Sequence, residues 1–308
     1  MKKAFFTPIF VLFVPFLLFS QHKADRRLEA KIKEAVQDFR GVVGVYVKHL
    51  PSGKEAFFQA DTVFPTASMV KIPILMGIMD KIERKELSYH QNLVYKDSLL
   101  YEGEDILGSF KHNETIALAK VMMLMMTTSD NTASLWLQSL AGGGTRINAL
   151  LEENGYLHTR VNSRTPGREA YRTQYGWGST TPREMGRLME QIFQGKCISE
   201  KASQQMLRIM GRNYWDEESI SQIPPTVFVA SKNGAVNASR SETMLVMAPS
   251  GPYIWSIITK NQTDQSWEPD NEGWVLSRKI SRLLWNYFEP KSKWTPVLNV
   301  SGKTVDKP

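Results

Sequence analysis

The chain has 308 residues, 42% of them hydrophobic, a formal net charge of +7 and one cysteine. That suffices for one large domain or two subdomains around a sizeable core. The positive charges are scattered, with no run of five basic residues, which argues against a nucleic-acid partner, and Cys197 alone excludes an intrachain disulfide. The histidines at 22, 49, 90, 112 and 158 lack metal-ligand spacing, and no GxSxG elbow occurs, so neither a metal, a cofactor nor an α/β-hydrolase triad is expected.

Lys2 and Lys3 precede an apolar run from Phe5 to Phe19, broken by Pro8 and Pro15, and Ser20 precedes polar residues. Residues 1–20 read as a secretory signal cut after Ser20, leaving an exported, periplasmic protein without stable membrane insertion. From Asp25 to Phe39, Leu28, Ile32, Val36 and Phe39 recur at helical spacing. Residues 41–50 and 55–61 alternate as strands around a turn at 51–54. The stretch 64–75 places Ser68 and Lys71 three residues apart where an apolar helix begins, so the two side chains share a face.

Helical pattern continues over 74–86 and again from Thr115 to Met126, where the unbroken methionine row reads as buried core. Residues 127–133 interrupt it. Helices follow over Ala133–Leu140, stopped by Gly142, Gly143 and Gly144, and over Arg146–Asn154, closed by Gly155. Residues 156–180 lack a clear period and read as a long irregular loop of the kind that carries function. Thr181, Pro182 and Glu184 form a helix start with a capping box, the helix running to Gly195, and another helix covers 199–211. Strands at 226–232, 242–249 and 253–260 and a helix with apolar Val275, Leu276, Ile280, Leu283, Leu284 and Tyr287 complete the pattern. The polar tail at 291–308 is expected to be poorly ordered.

Two early strands, three late ones and a helical middle imply an α/β (α+β) fold. Its antiparallel sheet of about five strands is built from both chain ends and flanked by helices. The domain spans 21–290, with a sheet subdomain at 25–66 and 213–288 and an all-helical subdomain inserted at 67–212. A cleft between them is where a site belongs.

Ser68-Met-Val-Lys71, Ser129-Asp130-Asn131 and Lys232-Asn233-Gly234 occur in one order, the second in a polar break between helices and the third ending a strand. This order resembles the class A serine β-lactamases and the related penicillin-binding proteins, over about residues 25 to 288. The resemblance implies Ser68 as acylated nucleophile, Lys71 as proton relay and Ser129 as donor to the departing nitrogen. It further implies Asn131 on the substrate amide, Lys232 on a substrate carboxylate and on Ser129, and the N–H groups of Ser68 and Ala235 as oxyanion hole. Asp130 would brace its loop.

Asn233 departs from the family's Thr or Ser. The family's acidic loop motif is not reproduced cleanly either. Glu169, the one carboxylate in 156–180, is the candidate base for deacylation, or else a surface partner of Arg168 or Arg172. Arg240 is a further carboxylate anchor or a surface arginine at a strand end. Three functions remain open: a β-lactam hydrolase conferring antibiotic resistance, a penicillin-recognising enzyme of cell-wall peptides or esters with slow β-lactam turnover, and a silent peptidoglycan-binding domain. Each would act as a monomer on a small-molecule β-lactam or cell-wall peptide.

Overall fold

Period-two alternation at both chain ends builds the sheet. A computed structural model describes residues 23–101 and 106–304, so the signal read at 1–20 lies outside the described residues. Val42–His49 pairs antiparallel with Lys54–Phe58 on one side and Tyr253–Lys260 on the other. Ser239–Val246 adds to Tyr253–Lys260, and Val229–Val236 forms the edge. These are the five expected strands; Lys23–Ala24 adds a short parallel strip beyond Lys54–Phe58.

Alternate side chains feed two cores. Val45, Val47, Trp255 and Ile257 face helices Arg26–Val36 and Glu272–Phe288 through Leu28, Ile32, Ile280 and Leu284. Ala230, Leu245, Ile254 and Ile258 join the opposite core with Met69, Leu75, Met185 and Leu188. The middle strands are therefore apolar on both faces, and registry is fixed because a one-residue slip would exchange the two cores. Among the described residues no helix is long and apolar enough to cross a membrane.

Several expectations need correction. Thr115–Ala117 is a strand paired with Asn92–Val94, and the helix opens only at Leu118. Of its methionines, 122, 125 and 126 are buried at i, i+3, i+4, while Met123 is 43% exposed because packed neighbours cover only part of that helix. Ala141 and Gly142, the latter with φ +94°, make the break between helices, and the next helix already starts at Gly143. The first late strand begins at Val229, not at 226, and runs on to Val236, where a two-residue hairpin returns the chain at Ser239. The third motif thus lies inside a strand, not at its end. The described part of the tail packs back on the domain: Leu298 bridges Thr304, and Arg278 Nε donates to the Val300 carbonyl at 2.8 Å.

The segment 156–180 is not wholly irregular. It holds helix Glu169–Tyr175 and strands Arg160–Val161 and Gly178–Thr180, the latter paired with Phe64–Pro65 just before Ser68. Its start is held by Glu184. Thr181 does cap its helix, accepting from the Glu184 N–H at 3.1 Å, but the Glu184 carboxylate does not turn back to close a box. It accepts instead from the N–H groups of Leu157, His158 and Thr159 and from the Thr159 hydroxyl at 2.6 Å. Glu184→Ala strands these donors and should lower unfolding free energy by about 2–4 kcal/mol, with Glu184→Gln falling between. Urea unfolding midpoints of the three proteins check the order.

Candidate active site

A 3₁₀ turn, Ala67–Val70, carries Ser68 into the buried helix Lys71–Glu83, so Lys71 is that helix's first residue. Ala67 holds φ +44° and Ser129 holds φ +65°, left-handed values that cost a non-glycine residue about 1 kcal/mol or more and cluster at functional sites. Lys71 is wholly buried. Its amine lies 3.1 Å from Ser68 Oγ, 2.9 Å from Ser129 Oγ, 2.9 Å from Asn131 Oδ1 and 2.5 Å from the Ser129 carbonyl. Burial, and then repulsion by Lys232, hold its pKa well below that of an ordinary lysine, with Asp130 opposing. An amine so placed gives up its proton more readily than an ordinary lysine and lies within reach of both hydroxyls.

The second motif is set by Asp130, wholly buried. One carboxylate oxygen caps helix Asn131–Leu140 by accepting from the Ala133 N–H at 2.7 Å, and the other accepts from the N–H groups of Ile106 and Leu107. It braces the loop, as the sequence suggests. Asn131 then presents its amide both to Lys71 and to the open cleft.

The third motif approaches through Gly234. A Cβ built there would lie 2.6 Å from the Ser68 nitrogen, so only glycine lets the strand run this close to the serine. Ser241 Oγ donates to the Gly234 carbonyl at 3.1 Å and to the Thr66 carbonyl at 3.3 Å, tying strand and turn together. Ala235 lines the same cavities as Ser68.

Three site residues stand differently from expectation. Lys232 does not leave its amine in the open cleft: mid-strand, it is wholly buried and donates to the Asn233 carbonyl at 2.8 Å and to its amide oxygen at 3.1 Å. Burial lowers its pKa, against the pull of Glu242. No hydrogen bond to Ser129 occurs among the described residues; Asn233 takes that amine instead. Arg240 is neither a surface residue nor an open anchor. It is 1% exposed, its guanidinium donates to the carbonyls of Val236, Ser239 and Ser266, and it lies 4.7 Å from the ring of Trp267 and 5.0 Å from that of Trp274. Glu169 is exposed at the first turn of its helix, where it accepts from the Gly167 N–H at 3.1 Å. It pairs with neither Arg168 nor Arg172: Arg168 donates to Asn162 Oδ1 and stacks over Tyr171.

A cavity of about 620 Å³ opens from Ser68 toward this helix, and the residues facing it are Gln174, Tyr175 and Trp177 at the other end, with Tyr101 edge-on to Trp177 at 5.1 Å. Among the described residues no aspartate or glutamate lines it. Sequence reading missed these residues, because a helix of this length inside a Gly-rich stretch leaves no readable period.

Lys71→Arg, which cannot lose its proton near neutrality, should abolish acylation of Ser68 while leaving the fold intact. Because the Lys71 pKa is lowered, the acylation rate should rise with pH and level off well before an ordinary lysine deprotonates. Lys232→Met removes a repelling charge and should move that limb to higher pH. Stopped-flow acylation across pH checks both.

A family model described as "Beta-lactamase enzyme family" matches residues 27–288. Beta-lactamase VEB-1 of Pseudomonas aeruginosa is 21% identical over 285 residues, covering 88% of this chain and 93% of its own. A beta-lactamase of Streptomyces fradiae is 24% identical over 271 residues, covering 84% and 85%. Among solved structures, PBP-A superposes with a TM-score of 0.78 at 26% identity, covering 87% of this chain and 98% of its own. A point mutant of PBP-A, equally similar, is an acyl-enzyme complex with penicillin-G. The TLA-1 extended spectrum beta-lactamase superposes at 0.76 with 18% identity, covering 85% and 98%.

Proposed function

The chain belongs to the beta-lactamase enzyme family, and from that premise we propose that it is an exported serine hydrolase acylated by β-lactams at Ser68, releasing the product slowly. The observation that carries this reading is the buried amine of Lys71, held between the hydroxyls of Ser68 and Ser129. Lys71 takes the Ser68 proton as Oγ attacks the lactam carbonyl. The N–H groups of Ser68 and Ala235 hold the oxyanion, and Ser129 delivers a proton to the ring nitrogen as the C–N bond breaks. Asn131 holds the substrate amide, and Asn233 and Gly234 shape the strand edge along which it lies. Such a complete set speaks against a silent binding domain.

Water must then cleave the ester. A positioned base is worth about 10²–10⁴-fold in such a step. Among the described residues the cavity on the loop side of Ser68 is lined by Gln174 and by no carboxylate, and Glu169 is exposed. This favours the reading of a penicillin-recognising enzyme that turns over β-lactams slowly, with cell-wall peptides or esters as its working substrates, over that of a resistance enzyme. The basic pair and apolar run before Ser20 support export to where such peptides occur. A sheet subdomain at 25–66 and 213–288 and a helical one at 67–212 meet at this cleft in the same reading.

Intact-mass measurement after penicillin treatment should find one persistent adduct on the wild type and none on Ser68→Ala; an adduct on another residue would sink the assignment. Glu169→Gln should change the decay of that adduct by less than about twofold, because the carboxylate does not reach the cavity. A drop of about 10²-fold or more would restore it as the base.

A further inference from the structure

The cavity on the loop side of Ser68 reaches one corner of the sheet. Alternation puts Ser239, Ser241 and Thr243 on a single face, and Ser241 shows which, since its hydroxyl donates to the Thr66 carbonyl of the serine turn. Ser239 shares that face, is 2% exposed and lines the cavity, yet its Oγ has no hydrogen-bond partner. On the neighbouring strand Ile258 joins the same core as Met69, so Lys260, two residues on, faces the same way. Ladder register sets Ser241 opposite Ile258, and Arg240 N still meets Thr259 Oγ1 at 2.7 Å, so Ser239 and Lys260 stand side by side where the two strands end. The Lys260 amine donates to the Val63 carbonyl at 2.8 Å and lies 4.9 Å from the Phe64 ring, just ahead of Pro65 in the cavity wall. Asn261 follows, exposed and lining the cavity, its side-chain amide without a hydrogen bond among the described residues.

Lys260 is the one charged residue lining this cavity among the described residues. It makes no ion pair there, and burial alone acts on its pKa, downward, with no carboxylate opposing. One contact to a carbonyl leaves two of the three ammonium donors to be met. A buried hydroxyl without a partner, beside a partly buried cation without a counter-charge, is what the two oxygens of a carboxylate satisfy together. The edge-on pair of Tyr101 and Trp177 supplies apolar wall for the chain that would carry it.

In the proposed reaction Ser129 protonates the departing nitrogen, which leaves the loop-side cavity to the acyl half of the substrate. We propose that this cavity selects acyl groups bearing a free carboxylate of their own, as in a peptide with an acidic residue on the acyl side, held between the Lys260 amine, the Ser239 hydroxyl and the Asn261 amide. The proposal rests on Ser68 as acyl acceptor only for which half of the substrate enters.

The test uses two penicillins alike except at the end of the acyl chain: adipoyl-6-aminopenicillanic acid, which ends in a carboxylate, and its adipamoyl analogue, which ends in a carboxamide of nearly the same shape. Intact mass followed over time gives the acylation rate of the full-length protein by each. The carboxylate should acylate Ser68 at least about fivefold faster, as expected from one charge-assisted contact at a partly exposed cation. Lys260→Gln should bring the ratio within twofold, Lys260→Arg should keep it above threefold, and Ser239→Ala, which leaves the amine and its carbonyl contact in place, should at least halve it. Equal rates in the wild type, or a ratio unmoved in Lys260→Gln and Ser239→Ala, would overturn the proposal. So would an equal fall in Lys31→Gln, which removes one distant exposed charge, because the preference would then come from the net charge alone. Absence of an adduct from either penicillin would overturn the nucleophile instead. The subsite is then decided by binding of the two compounds to Ser68→Ala, read by tryptophan fluorescence: about fivefold tighter binding of the carboxylate supports it, and equal binding overturns it.

Discussion

The structure turns on one desolvated amine. Lys71 sits at the start of a helix whose first nine residues are buried, so its Nζ has no access to bulk water and only four oxygens to satisfy it. A protonated amine there would carry a large desolvation cost, and a second buried cation, Lys232, raises that cost. Ionisation, hydrogen bonding and the position of two hydroxyls are therefore one problem with one solution. The cap at Asp130, the left-handed φ at Ser129 and the 3₁₀ turn at Ser68 can each be understood as conditions for bringing those oxygens to that nitrogen.

The sheet supplies the other constraint. Its edge strand must pass close enough to the serine turn for backbone to meet backbone, and Gly234 permits that approach. Register with Ser239–Val246 then decides everything along the edge: Ala235 is opposite Arg240, Gly234 opposite Ser241, Asn233 opposite Glu242. A strand gripped by one neighbour along its whole length has little freedom to adjust to a substrate. The adaptable wall is elsewhere, in the loop helix with Gln174.

Much of this was legible in the chain. Alternation in 41–50 and 253–260, the cap at Thr181, and the three motifs each rest on local chemistry, and local chemistry survives folding. What escaped depends on contacts distant in sequence. The burial of Lys232 and Arg240 follows from hairpin length and from tryptophans some thirty residues on, which no spacing rule encodes. Glu184 looked like half of a capping box, yet its carboxylate serves N–H groups 25 to 27 residues earlier. The tail reads as polar in sequence, and its described part is held to the domain because Arg278 and Gln222 supply donors for its carbonyls.

Ala67 has a consequence for how such a protein can change over generations. With φ at +44°, it stores strain beside the reactive serine, and glycine would release it. Yet glycine also adds disorder to the unfolded chain, so the gain in folding free energy largely cancels. Drift toward greater thermal resistance thus finds little reward at this position. Drift toward a faster or slower serine finds a great deal, because loosening Ala67 frees the turn that aims it. Strain here is a setting that selection for activity can reach and selection for stability mostly cannot.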